Sequence, residues 1–146
     1  MSHTTSIKTV NIKDRAAVMK AAMEMGTTIE VLNDTVPRMY YKDQHGKCAL
    51  VLRAKDCPYD VGLDFDAKTG LFTPVFDAWR GHIARVFGGQ VPKESTAADL
   101  AVAPIGKFLQ RYAINAAANA ARAKGYFIDG ETTDESGNTH LKVRVS

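Results

Sequence analysis

Cysteine is scarce in this chain and unpatterned. Cys48 and Cys57 are the only two in 146 residues; they form no C-x-x-C pair, and no histidine stands at metal-finger spacing. A disulfide framework is therefore excluded, and both thiols are expected to be reduced fillers of apolar space. Long apolar runs are missing too. None approaches the roughly 18 residues needed to cross a bilayer, and Met1-Ser2-His3-Thr4-Thr5 lacks the charged and apolar regions of a signal peptide. The expectation is a protein without membrane contact, resident in the cytosol or an equivalent compartment. Charge of one sign is also in short supply: a net +3 permits an anionic partner but lacks the concentrated basic stripe of a dedicated nucleic-acid binder. No internal repeat is present.

What is present fits one globular domain over residues 1–146, because 45% hydrophobic and 24% charged residues give a core-forming chain rather than a disordered one. The strongest local signal runs from Leu109 to Tyr126, where alanine and leucine dominate, Arg122 and Lys124 meet the negative helix end, and Gly125 stands at the left-handed cap position. A second helix opens at Asp14 as N-cap, with Val18, Met19, Ala22, Met23 and Met25 as its apolar stripe. Strands are predicted over Ser6–Lys13, Thr27–Leu32, Met39–Tyr41, Cys48–Arg53, Tyr59–Asp66 and Leu71–Phe76, with a closing hairpin from Tyr126–Ile128 to Leu141–Val145. The sum is an α+β fold: an antiparallel sheet of about five to seven strands, covered on one face by two main helices at about residues 14–25 and 104–124. A further short helix is predicted near residues 77–87, and the Gly/Pro-bearing stretch 88–103 reads as a mobile insertion.

In the long helix, Ile105, Phe108, Leu109, Tyr112, Ala113, Ala116, Ala120 and Ala123 form the expected packing stripe, with the sheet as partner, while Lys107, Arg111, Asn115 and Arg122 lie on another side. Reactive motifs are weak. The run Asp64-Phe65-Asp66-Ala67-Lys68-Thr69 approaches the D-x-D-x-T pattern of aspartyl phosphohydrolases, but the threonine falls one position late and no helical crossover follows. Tyr59–Asp66 alternates so that its aspartates share one face, expected to be wet. Gly88-Gly89-Gln90-Val91-Pro92-Lys93-Glu94-Ser95-Thr96 has the ingredients of a phosphate cradle in the wrong order for a P-loop. His45, beside Gly46 at a predicted hairpin tip, reads as a solvated imidazole.

Several short motifs, taken in succession, resemble a known family. They are Ser2-His3 leading into Ser6-Ile7-Lys8-Thr9, Ile12-Lys13-Asp14, Tyr59-Asp60-Val61-Gly62, Asp77-x-Trp79, Gln110-Arg111-Tyr112-Ala113 with Gly125-Tyr126, and Gly137-x-x-His140-Leu141-Lys142-Val143-Arg144. Together they resemble the hypothetical chloroplast reading frame family numbered thirty-five, a domain of unknown function in cyanobacteria, algal plastids and some phages. The sequence departs from it where Ala78-Trp79 replaces a doubled aromatic and where about residues 88–103 delay the Gln-Arg-Tyr helix. The resemblance implies a single-domain α+β protein of bacterial, plastid-stroma or phage-infected-cell origin and no established enzyme activity.

The functional expectation is a non-catalytic module that sequesters a small anionic or nucleotide-like ligand, or inhibits a protein partner, in a groove between sheet and long helix. Tyr59, Trp79 and Tyr112 would stack, and Arg80 and Arg111, aided by Lys107 and Asn115, would pair with charge. No catalytic residue, metal or cofactor is assigned; homo-oligomers are compatible. The alternatives are single-stranded nucleic-acid binding and, more remotely, metal-dependent phosphoester hydrolysis by Asp64 and Asp66.

Overall fold

Apolar, β-prone runs draw the middle of the chain into an antiparallel meander whose central strands are buried on both faces. The computed structural model describes residues 4–6, 11–26, 28–40, 45–89, 97, 101–135 and 139–145. Their elements are β1 (Thr4–Ser6), α1 (Arg15–Met23), β2 (Ile29–Thr35), β3 (Cys48–Ala54), β4 (Val61–Asp66), β5 (Leu71–Asp77), α2 (Gly106–Ala123), β6 (Phe127–Thr133) and β7 (Thr139–Arg144). Strands β1 to β5 make one antiparallel sheet in the order β1-β5-β4-β3-β2, and β6 pairs with β7 in a separate hairpin. The α+β class, with helices against an antiparallel sheet, is as the sequence predicts.

One face of the sheet carries Leu50, Leu52, Val61, Leu63, Phe72 and Phe76, and these meet Val18 of α1, Ile83, Phe87, Ile105 and Phe108 in the main core. Helix α1 starts where Asp14 caps it, its Oδ1 accepting from the Ala17 amide at 3.0 Å. Its buried stripe is Ala17, Val18, Ala21 and Ala22, so the predicted stripe is rotated: Met19 and Met23 face outward, Met23 at 83% exposure. Small alanines are what allow α1 to lie close to α2. Helix α2 ends in a Schellman turn, with Tyr126 N–H donating to the Ala121 carbonyl, Gly125 N–H to that of Arg122, and Gly125 at φ +83°.

The opposite face of the sheet is closed by a strap, Val36–Tyr40, rather than by a helix. Pro37 and Met39 are buried here, Pro37 against Gly62, whose register neighbours Val51 and Val75 are buried too. Gly62 is required here, since a Cβ would sit 2.6 Å from Cys48 Sγ and 3.2 Å from Pro37 Cγ. The strand predicted at Met39–Tyr41 is thus not formed at Met39 and Tyr40, and residue 41 lies outside the described residues.

Other predictions shift. Of the predicted first strand, Ser6 belongs to a strand at Thr4–Ser6 and Ile12 bridges to Phe72, while residues 7–10 lie outside the described ones. The helix predicted near 77–87 is a 3-10 turn at Trp79–Gly81 followed by a π turn at Ala84–Gly88, because Arg80 and Gly81 take positive φ (57° and 69°), which an α-helix cannot hold. Pro104 falls in a 3-10 turn, Ala103–Ile105, just before α2. Of the predicted insertion 88–103, residues 90–96 and 98–100 lie outside the described residues, as do 136–138 at the tip of the closing hairpin.

Candidate functional site

The hydrogen bonds and ring contacts of the described residues sort the seven predicted site residues into two groups. Lys107, Arg111, Tyr112 and Asn115 lie along α2; Tyr59, Trp79 and Arg80 lie beside the strap.

The α2 group is turned inward. Tyr112 is 5% exposed, and its hydroxyl accepts from the Lys13 and Asp14 amides at 2.9 and 3.0 Å, the free donors at the entry to α1. Asn115, 3% exposed, donates to Glu24 Oε1 at 2.6 Å, and Asn119 donates to Asp14 Oδ2 at 3.0 Å. Arg111 forks between two carboxylates, Glu131 at 2.6 and 3.0 Å and Glu24 at 3.0 and 3.4 Å. Hydrogen bonds to Glu131, opposed by burial and seconded by Glu24, raise the Arg111 pKa, and the guanidinium in turn holds Glu131 below the ordinary carboxylate range. Lys107 Nζ donates to the Met25 carbonyl at 3.3 Å, beyond the end of α1. This polar seam ties α1, α2 and β6 together. The expected packing stripe is accordingly turned, leaving Ala113, Ala120 and Ala123 exposed and placing Asn115 on the buried line.

A shallow groove of about 480 Å³ does run along α2, lined by Asn11, Lys13, Asp14, Tyr112, Ala116 and Asn119 among others. Of the predicted ligand-binding residues only Tyr112 borders it. The Asn119 and Ala17 hydrogen bonds hold the Asp14 carboxyl below its ordinary value, so the groove carries one carboxylate beside the Lys13 ammonium.

The strap group is turned outward. Two fully buried aspartates build it. Asp60 receives the Arg38 amide at 2.8 Å, Arg38 Nε and Nη2 at 3.0 and 2.8 Å, and Arg53 Nη2 at 2.9 Å, so two guanidiniums from the strap and β3 converge on one carboxylate. The aspartate-bearing side of β4 is therefore not wet at this end. Asp77 receives the Tyr40 amide at 3.1 Å and the Trp79 amide at 3.0 Å, fixing the end of the strap beside the exit from β5. Tyr40 then meets Trp79 edge-on, ring centroids 5.8 Å apart, and the Arg80 guanidinium lies 5.4 Å from the centre of the Trp79 ring. Tyr59 stands edge-on to His82 at 5.3 Å, and Arg85 bonds the other side of that imidazole at Nδ1. Burial, then the nearby Asp77 and Tyr40, push the Tyr59 phenol above its usual value while Arg80 opposes them, so these groups form one neighbourhood.

Tyr40 is half exposed, and Arg80 and Arg85 are exposed. Among the described residues Arg80 has no carboxylate within ion-pair distance. Tyr40 and His82, which the sequence reading did not select, belong to this surface. No local pattern signals them, since the Asp77-x-Trp79 spacing speaks only for the Trp79 amide, and Tyr40 reaches Asp77 from 37 residues away.

Asp64 and Asp66 have different partners. Asp66 Oδ1 accepts from the Lys68 amide at 2.9 Å in the β4–β5 turn, whereas Asp64 Oδ2 lies 2.8 Å from His45 Nε2. His45 is thus engaged rather than simply solvated. Beside that pair is the buried Cys48 thiol, and the three donor atoms lie within 4.8 Å of one another.

No described helix is long and apolar enough to cross a membrane. Comparison with family models, with curated proteins and with solved structures gave no match.

Proposed function

We propose that this protein is a non-catalytic binding module that captures a small anionic, nucleotide-like ligand on the surface formed by Tyr40, Tyr59, Trp79 and Arg80. The observation that carries the reading is the Trp79–Arg80 pair: a part-exposed indole with a guanidinium at 5.4 Å, the guanidinium having no carboxylate partner among the described residues. A flat base stacks on the indole, and a phosphate or carboxylate takes the Arg80 fork. The buried Asp77 holds Tyr40 and Trp79 in place by their amides, so the aromatic faces are ordered before a ligand arrives and less entropy is lost on binding. Arg111, Lys107, Tyr112 and Asn115 serve instead as internal ties. The plastid-family resemblance, likewise a proposal resting on its succession of motifs, assigns no reaction and suits a binding role.

Trp79 is the single tryptophan of the chain, so its emission reports on this surface alone. Titration with nucleoside mono- and diphosphates is expected to quench it saturably, and Arg80→Ala to weaken binding about tenfold, the loss of one charge-assisted pair of about 1.4 kcal/mol. An emission unchanged by every nucleotide, with no heat in calorimetry, would refute the small-ligand reading. A response to single-stranded oligonucleotides alone, collapsing with salt, would transfer the surface to the nucleic-acid alternative.

A further inference from the structure

We propose that His45 Nε2, Cys48 Sγ and an Asp64 carboxylate oxygen form a binding site for one zinc-class divalent cation, on the strap side of the sheet and separate from the Trp79 surface. The three atoms lie within 4.8 Å of one another, one donor each of nitrogen, sulfur and oxygen. A tetrahedral ion with bonds of about 2.0–2.3 Å holds its ligands within roughly 4 Å of each other, so a small inward shift of the donors closes them on one ion. Sulfur with imidazole selects zinc or cobalt over magnesium and calcium, which take oxygen alone.

The surroundings are built around the sulfur. Gly62 on β4 leaves the space that Sγ occupies, since any side chain there would place Cβ 2.6 Å from it, and Pro37 closes the other side at 3.2 Å from the same point. Cys48 comes from the first residue of β3 and His45 from three positions earlier, a His-x-x-Cys pair, while Asp64 comes from the neighbouring strand. Cys48 is 1% exposed, yet His45 and Asp64 keep side-chain exposures of 28% and 38%. The sulfur is therefore an anchored inner ligand and the other two face solvent, which leaves a fourth position for water. Burial first, and then Asp64, push the Cys48 thiol up to about 12; an ion would displace that proton, so affinity rises with pH.

The test is a titration of the chelator-treated full chain with Co²⁺, then Zn²⁺ competition. The expected result is one equivalent of cobalt giving a thiolate-to-metal charge-transfer band, displaced by zinc, retained in Cys57→Ser and absent in Cys48→Ser. His45→Ala, at a part-exposed position, is expected to weaken binding at least tenfold, and it carries the test should Cys48→Ser fail to fold. A folded wild-type chain without the band, a band that survives Cys48→Ser, or an affinity untouched by His45→Ala would each overturn the site. None of these outcomes depends on the nucleotide titration.

Discussion

The two faces of the central sheet are closed by different means. On the helix side, Val18 of α1 and Phe108 of α2 join Leu63 and Phe76 in one apolar core, and the polar residues are spent internally: Arg111 on Glu24 and Glu131, Tyr112 on the start of α1. On the strap side, five residues cover a small core, anchored by the buried Asp60 and Asp77. A thin cover leaves ring edges and an arginine at the surface. The contrast teaches that an arginine–aromatic pair in a sequence is ambiguous: Arg111-Tyr112 is a structural tie, whereas Trp79-Arg80 presents itself to solvent, and only the neighbouring carboxylates distinguish them.

The contrast can be broken most forcefully from the helix side. Phe76→Ala removes a fully buried ring from the main core and is expected to cost about 3–5 kcal/mol in urea unfolding, without altering ligand affinity of the molecules still folded. On the strap side, Asp60→Ala strands the Arg38 and Arg53 guanidiniums, which keep side-chain exposures of 41% and 30%. Partial rehydration sets the expected cost at about 3 kcal/mol, the low end for a broken buried pair. Unlike Phe76→Ala, it should also shift Trp79 emission, because the strap carries Tyr40. An unshifted emission would break the link between strap and surface.

Tyr112→Phe leaves the Lys13 and Asp14 amides without their acceptor, for an expected loss of about 1–3 kcal/mol and unchanged nucleotide quenching. Reduced quenching would return Tyr112 to the binding site. The smallest effect is acidic. Burial raises the Glu24 pKa, but the Asn115 and Arg111 hydrogen bonds outweigh it and hold the carboxyl below its ordinary value; Arg111 does the same for Glu131. With folded pKa values depressed, the unfolded chain binds more protons, so this stabilisation is complete above the unfolded pKa and is lost as pH falls through the folded one. Both carboxylates are about a third exposed, so the expected contribution is about 1 kcal/mol or less. Urea midpoints between pH 7 and 3 should fall less steeply in Arg111→Gln than in wild type.

Much of the fold is legible in the sequence where its cause is local. Asp14 capping its own helix, Gly125 turning α2 out, and the alternation that buries Val61 and Leu63, though not Phe65, need no knowledge of distant partners. The strap is illegible for the opposite reason: Pro37 can lie buried here because Gly62, on a later strand, makes room beneath it. Asp60 looks like a member of a solvated face until Arg38 and Arg53, both earlier in the chain, arrive from the strap and β3. The segment after Asp77 carries a helical apolar pattern, and Ile83 and Phe87 do reach the core, but a positive φ at Arg80 breaks the periodicity and sends Trp79 the other way. On α2, the residue types were readable and their partners were not, since Glu24 lies 91 residues from Asn115.

That separation has a consequence for how the molecule is made. The ties that fasten α1 to α2 span 99 residues from Lys13 to Tyr112 and 105 from Asp14 to Asn119, while the last strand of the main sheet ends at Asp77. A chain emerging N-terminus first at about 5–20 residues per second needs roughly 2–8 s to extend from residue 77 to residue 119. Throughout that interval all five strands of the main sheet have been synthesised, but the long helix that closes their apolar side has not.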